Sequence, residues 1–347
     1  MNPLVTGHMT EDDVYFSFLP LAHILEQMMT CICIYSRASI GFFSGDIQKL
    51  IDEIGTLKPT VIVLVPRLLH RIYNAAVEKV AGSTVKSQLF FGALKLGQTL
   101  TDSGISAKFL SRTIFNPLRM KFGGRVKLVI TGSAPCPADV SQFIRFALGA
   151  AFHNGYGLSE TCGPVSLTFR NDSDNGTAGA PICCVAVCLK DVPDENLIVS
   201  RDLRGEICVK GPNCTVGYHK DDENNKKLFD EDGWLRTGDV GIWDEKGRLV
   251  IVDRVKNLFK TSHGEYVSPE KLESVYSSVP IIEQVIIDCK ESRITSLIYP
   301  SKVNLEKFLA KEMITGDLNN SDEIKEIFKT ECNLKAKEAG LTGFERK

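Results

Sequence analysis
The chain has 347 residues, 43% apolar and 24% charged, with a formal net charge of −2. That length supports a sizeable core and two domains, and that composition excludes wholesale disorder. A charge balance so close to zero gives no global attraction to nucleic acid.

The eleven cysteines follow no metal-ligand pattern. Cys31-x-Cys33 and Cys183-Cys184-x-x-x-Cys188 sit in apolar runs, and no Cys-x-x-Cys pair occurs. They read as buried free thiols in a reducing compartment. Met1–Asp13 has no apolar signal core. The most apolar long run, Val14–Tyr35, is broken by Pro20, His23 and Glu26, so no transmembrane segment is expected.

In chain order, a strand is predicted up to Leu19, with Pro20 breaking it and a helix following. His23 and Glu26 are spaced i,i+3 on that helix, which by itself reads as a core histidine bonded to a carboxylate. Thr60–Val65 is a continuous apolar run, the pattern of a buried parallel strand, ended by Pro66. Leu68, Leu69, Ile72, Tyr73, Ala76, Val77 and Val80 then recur at helical spacing. A second buried strand is predicted at Val126–Ile130. Strand, helix and strand imply an α/β sheet with crossover connections.

Between them, Thr84–Lys127 carries eight basic residues and the single acid Asp102, a local charge of +7. Phe90, Phe91, Leu94, Phe109, Leu110 and Phe115 are interleaved. The segment reads as a solvated helical face packed on the core, or as a surface for anionic lipid or a polyphosphate.

Thr131-Gly132-Ser133-Ala134-Pro135 follows the second strand, with a helix predicted from Pro137. Small residues between a strand and a helix start expose N–H groups and leave room for a flat ligand. Next comes Asn154-Gly-Tyr-Gly-Leu-Ser-Glu-Thr161, read as a loop at the end of a neighbouring short strand. Gly155 and Gly157 allow tight turning and close approach to a ligand. Tyr156 offers a flat ring, Ser159 a donor for a phosphate oxygen, and Glu160 a hard oxygen for Mg²⁺. A strand-to-helix turn with a buried Tyr is the plain alternative.

Asn171–Thr177 has a calcium-loop flavour but would place Cys183 where Glu is needed, so it is rejected. From here the chain turns β-rich, with strands predicted at Gly205–Lys210 and Arg248–Val252. Asp239 lies between Gly238 and Val240-Gly241. It is a carboxylate suited to a vicinal diol, or a common hairpin-turn Asp. Ser268-Pro269-Glu270 is a helix start. A small α/β unit follows, with strands at Val285–Ile287 and Ile294–Tyr299 and helices at Asn304–Met313 and Asp322–Ala339. Gly340 stops the last helix. No internal repeats or low-complexity tracts are present.

Taken in order, these segments resemble the acyl-adenylate-forming enzymes. Within them, the phrasing is similar to the long-chain fatty acyl-CoA synthetases. The distinguishing stretches are SFLPLAHILEQ (17–27), GFFSGDIQKL (41–50), LKPTVIVLVPRLLHRIY (57–73), GGRVKLVITGSAP (123–135) and FKTSHGEYVSPEKLE (259–273). The resemblance implies an α/β AMP-binding fold, with part of the large α/β domain at 1–254 and a small mobile C-terminal α/β lid at 255–347.

It also implies roles. Tyr156 would stack on adenine, with Gly132, Ser133, Ala134, Asn154 and Gly157 lining that pocket. Ser159 would touch phosphate and Glu160 would hold Mg²⁺. Asp239 and Arg254 would bind the ribose hydroxyls, and His23 would lie near the acyl carboxylate. Lys256 matches the hinge, and Lys260 a lid lysine used after the lid turns. The implied substrates are a long-chain fatty acid, ATP and CoA, with no nucleic acid partner. The chemistry is acyl-adenylate formation followed by thioester formation. The implied location is the cytoplasmic side of internal membranes, the endoplasmic reticulum by resemblance, with peripheral contact through 84–127.

Two parts of the family pattern are not found: the Ser/Thr/Gly-rich phosphate loop before EDDVYFSFLPLAH, and a lysine near the C-terminus in a Thr-Pro-Thr-like run. The expectation is a chain that ligates weakly by itself. The other readings are a short product that binds nucleotide or a partner without ligating, and a luciferase-type oxygenase.

Overall fold
The computed structural model describes residues 9–134, 136–169, 176–257, 259–260, 266–290, 293–311, 322–341, 343 and 346. Short β-branched runs separated by amphipathic helices build its main sheet. The strands are β1 (Val14–Ser17), β2 (Ser39–Phe42), β3 (Val61–Val63), β4 (Leu128–Gly132), β5 (Ala151–Leu158), β6 (Gly163–Leu167) and β7 (Ala180–Pro181), in spatial order β2-β1-β3-β4-β5-β6-β7. Pairing is parallel from β2 through β5 and antiparallel from β5 through β7.

The helices up to β5 are α1 (Ile24–Ser36), α2 (Leu50–Leu57), α3 (Pro66–Ala81), α4 (Thr84–Asp102) and α5 (Ala138–Leu148), with two short helices at Phe109–Arg112 and Asn116–Lys121. Successive strand residues point to opposite faces, and both faces are covered. Tyr15, Val61, Val63, Leu128 and Ile130 pack with Met29, Ile32 and Cys33 of α1. Phe16, Ile62, Leu64 and Val129 pack with Ile54, Leu69, Phe90, Leu94, Phe143 and Ile144 from the other helices. Burial on both faces explains why Thr60–Val65 reads as an unbroken apolar run.

A second sheet has the order β11-β10-β9-β8, formed by β8 (Ala186–Lys190), β9 (Gly205–Lys210), β10 (Leu235–Trp243) and β11 (Leu249–Arg254). The chain divides into two compact units, Met1–Thr237 with Gly241–Ile251, and Gly238–Val240 with Val252–Lys347.

The second unit holds the short pair β12 (Phe259–Lys260) and β13 (Tyr266–Val267), helix α6 (Pro269–Tyr276), and the hairpin β14 (Ile282–Lys290) and β15 (Arg293–Pro300). Helices α7 (Lys302–Lys311) and α8 (Asp322–Glu338) follow. Ser268 caps α6 by accepting from the Lys271 N–H. Leu272, Tyr276, Val285, Ile287, Leu305, Leu309 and Ala336 form its core. Gly340, at φ +69°, ends α8, and the Leu341 N–H donates back to the Ala336 carbonyl at 2.9 Å.

Several expectations change. Asn154–Leu158 is strand, not loop, and only Ser159–Thr161 turns. Pro137 is the N-cap of α5 rather than its first turn. Asp239 lies within β10, not in a hairpin turn. The thiols are only partly buried: Cys33, Cys136 and Cys208 are enclosed, whereas Cys31, Cys162, Cys183 and Cys184 are exposed. The rejected calcium loop falls mostly outside the described residues, as does Pro135. Among the described residues, no helix is long and apolar enough to cross a membrane.

Candidate functional site
The site in the first unit is built where β4 and β5 run parallel in register, with Thr131 opposite Asn154 and Gly132 opposite Gly155. The backbones come very close there. A Cβ on Gly132 would meet the Gly155 carbonyl oxygen at 2.8 Å, and one on Gly157 would meet the Gly163 oxygen at 2.0 Å. The glycines of the octapeptide therefore serve strand packing rather than a turn. Ser133 leaves β4 with φ +68°, a left-handed conformation unusual for a residue with a side chain. Gly132 is thus set against Gly155, between Asn154 and Tyr156 in sequence, and Ser133 and Ala134 follow it out of the strand.

Asn154 is fixed on both sides. Its N–H donates to Thr168 Oγ1 at 2.8 Å, and its side-chain amide donates to the Thr177 carbonyl at 2.9 Å. Tyr156 packs on the cluster of Val165, Ile207, Val209 and Leu249. The hydroxyls of Thr131, Ser166 and Thr177 are buried without a hydrogen-bond partner. Each borders this stretch: Thr131 pairs with Asn154, Ser166 with Tyr156, and Thr177 accepts the Asn154 amide. Such buried hydroxyls without a partner are costly in a packed interior.

The turn Ser159–Thr161 follows β5. The Leu158 N–H donates to Thr161 Oγ1 at 3.0 Å, and that fully buried hydroxyl reaches the Gly163 carbonyl at 2.8 Å. Ser159 is left exposed and Glu160 half-buried. The Tyr218 hydroxyl donates to Glu160 Oε1 at 2.6 Å, and this bond pushes the Tyr218 phenol up to about 12. A single half-buried carboxylate with one oxygen engaged is a donor suited to Mg²⁺ carried on nucleotide phosphates, which takes only one or two carboxylates from protein.

The His23 and Glu26 side chains do not bond each other, although the Glu26 N–H donates to the His23 carbonyl at 3.0 Å. His23 Nδ1 accepts from the Leu25 N–H at 3.2 Å and caps α1, which leaves the proton of the neutral ring on Nε2. Glu26 turns inward instead, accepting from Tyr15 Oη at 2.6 Å and Ser17 Oγ at 2.7 Å. Burial and that carboxylate push the Tyr15 phenol far up. Helix α1 packs against the start of β6, where Met28 Sδ would lie 3.3 Å from a Cβ on Gly163.

In the second unit, Asp239 is buried and follows Gly238, at φ +72°. Arg254 Nε lies 3.5 Å from Asp239 Oδ1. Asp253 accepts from the Arg254 N–H at 2.6 Å and from the Ser268 hydroxyl. Burial, then the Asp253 charge, pushes the Glu270 carboxyl up against the pull of Arg254. Lys256 is exposed in the turn Val255–Asn257, immediately after β11. The Lys260 backbone pairs with Tyr266, and its side chain lies outside the described residues.

Sequence reasoning missed Thr161, Tyr218, Asp253 and Glu270. Tyr218 is 58 residues from Glu160, so nothing local signals the pairing. Asp253 and Glu270 were visible as charges near a helix start, but their meeting around Arg254 depends on the fold.

The family described as AMP-binding enzyme matches residues 2–219. Long chain acyl-CoA synthetase 3 of Arabidopsis thaliana is 38% identical over 98% of this chain and 53% of its own length. Long-chain-fatty-acid–CoA ligase 1 of Homo sapiens is 38% identical over 96% of this chain and 49% of its own. The chain thus spans about half the length of the curated relatives it matches. Among solved structures, the A domain of a carboxylic acid reductase from Segniliparus rugosus, in complex with AMP and a co-purified carboxylic acid, aligns with a TM-score of 0.72 at 25% identity. That alignment covers 96% of this chain and 48% of the other.

Proposed function
The chain belongs to the AMP-binding enzyme family, and on that premise we propose that it carries the adenylate-holding residues of a long-chain fatty acid–CoA ligase. The observation that carries the reading is the register of β4 against β5. It sets Thr131 and Gly132 against Asn154 and Gly155, with Glu160 in the turn that follows β5.

In this reading Tyr156 stacks on the adenine, and Gly132, Ser133, Ala134, Asn154 and Gly157 line its pocket. Ser159 donates to a phosphate oxygen. Asp239 and Arg254 hold the ribose hydroxyls. His23, with its proton on Nε2, donates toward the fatty carboxylate. That carboxylate attacks the α-phosphorus of ATP and pyrophosphate leaves. The CoA thiol then attacks the acyl carbon and AMP leaves, a stage to which Lys260 is assigned, with Lys256 as the hinge. Two anions meet in the first step. Mg²⁺ held by Glu160 would supply the charge that offsets their repulsion.

The reading extends to location at the cytoplasmic face of internal membranes. Long-chain substrates partition into lipid, and the basic, aromatic-bearing segment 84–127 suits an anionic surface.

Calorimetric titration with AMP tests the reading. Stacking on an aromatic ring contributes ~1–3 kcal/mol per base, so Tyr156→Ala is expected to weaken AMP by about tenfold or more. Absence of AMP binding, or equal affinity in the variant, would overturn it. Acyl-CoA formation from a long-chain fatty acid, ATP and CoA tests the full reaction.

A further inference from the structure
The Glu160 turn is held by a second stretch of chain, Asn213–Tyr218. The Thr215 N–H donates to the Glu160 carbonyl at 2.7 Å, the Asn213 amide donates to the Thr161 carbonyl at 2.8 Å, and the Tyr218 hydroxyl donates to Glu160 Oε1 at 2.6 Å. This clip is itself braced. The Gly217 N–H donates to Thr215 Oγ1 at 3.2 Å. The Tyr218 N–H donates to Asn225 Oδ1 at 2.6 Å, and Asn225 Nδ2 donates back to the Tyr218 carbonyl at 2.9 Å. Gly217 sits at φ +143°, where a Cβ would come 2.7 Å from that Asn225 oxygen. The phenol is therefore delivered to Glu160 by a fixed backbone, and its O–H···O⁻ bond belongs to the short, charge-assisted kind.

A carboxylate can ligate a cation through one oxygen or both. Ca²⁺ accepts two-oxygen ligation at 2.3–2.6 Å, whereas Mg²⁺ demands near-octahedral geometry at 2.0–2.1 Å and takes few protein oxygens. With Oε1 accepting from Tyr218, one of its lone pairs is taken and Oε2 is the Glu160 oxygen better placed for a metal. We propose that Tyr218 is a positioning residue that makes Glu160 a one-oxygen ligand and thereby selects Mg²⁺ over Ca²⁺ on the bound nucleotide. The inference rests on the reading of Glu160 as the metal-holding carboxylate. Tyr218→Phe keeps the ring and every backbone bond of the clip, and removes only the hydroxyl that reserves Oε1.

The test is calorimetric titration of ATP into the 347-residue chain with Mg²⁺ or with Ca²⁺. Wild type, Tyr218→Phe and Glu160→Gln are compared, and melting temperatures check folding. Wild type is expected to bind ATP more tightly with Mg²⁺ than with Ca²⁺. Tyr218→Phe is expected to lower that preference by about tenfold, the scale of one hydrogen bond to a charged group. Glu160→Gln removes the preference. A wild-type preference that survives Tyr218→Phe but not Glu160→Gln sinks the inference and leaves the Glu160 reading standing. Equal weakening with both cations in Tyr218→Phe, or no preference in wild type, also overturns it. If Glu160→Gln leaves the cation dependence intact, the Glu160 reading fails and this inference fails with it.

Discussion

Asp13 is a heavily bonded carboxylate directly before β1. Its Oδ2 accepts from the Thr10 N–H at 2.8 Å and from Lys127 Nζ at 2.7 Å, and its Oδ1 from the Thr60 hydroxyl at 2.6 Å. Thr60 directly precedes β3 and Lys127 directly precedes β4, so one side chain ties three strand entries. Burial alone would raise this carboxyl, but the bonds from Lys127, Thr60 and Thr10 outweigh it and hold it below its ordinary 3.8. A lowered carboxyl contributes stability in full above its ordinary value and loses it as pH falls through the lowered one. Asp13→Asn is therefore expected to cost about 2 kcal/mol near neutrality. The gap to wild type should narrow in urea unfolding as pH falls below about 4. A gap that does not change with pH would contradict this. Single residues were legible as types but not as partners. His23 and Glu26 were read as a pair because of spacing, yet each found a different group: a helix N-terminus for one, Tyr15 and Ser17 for the other.

Elements with a clear period were legible. The spacing from Leu68 to Val80 is the helix α3, and Gly205–Lys210 is β9. β5 was not, because paired glycines signal a turn unless the neighbouring backbones are known to need their missing side chains. Helix α4 shows the opposite limit. Phe90 and Leu94 are buried as the packed-face reading requires, but Val85, Leu89, Phe91 and Leu96 are exposed beside Lys86 and Lys95. Exposed apolar groups flanked by cations suit an anionic bilayer, at ~1 kcal/mol for each basic residue near the surface. The Lys86→Glu, Lys95→Glu double variant should bind phosphatidylserine vesicles at least tenfold more weakly than wild type at low salt. Added salt should weaken wild type itself. Failure of wild type to bind such vesicles at low ionic strength would remove the idea.

At the scale of the molecule, the α/β class was readable from the alternation of apolar runs and amphipathic helices. The entry of Gly238–Val240 into the second unit was not, since nothing in the order of residues marks a change of unit inside a strand. Tyr156 belongs to the first unit and Asp239 to the second. A ligand at about 100 times its Kd stabilises the state that binds it by about 2.7 kcal/mol. AMP should accordingly raise the melting temperature of the chain. Both Tyr156→Ala and Asp239→Asn should reduce that rise, measured by differential scanning calorimetry. A rise left unchanged by one of these substitutions would remove that residue from the proposed contacts.

The exposed Cys162 gives the Glu160 turn a chemical handle. It sits at φ +49°, and its N–H donates to the Ser159 carbonyl at 3.1 Å, so its thiol is presented from a closed turn rather than a loose end. With serine at Cys31, Cys183 and Cys184, the other exposed thiols among the described residues, and at Cys289, a maleimide dye would report from two residues beyond the carboxylate. Its fluorescence would follow ligand arrival at that turn in real time, with no turnover required.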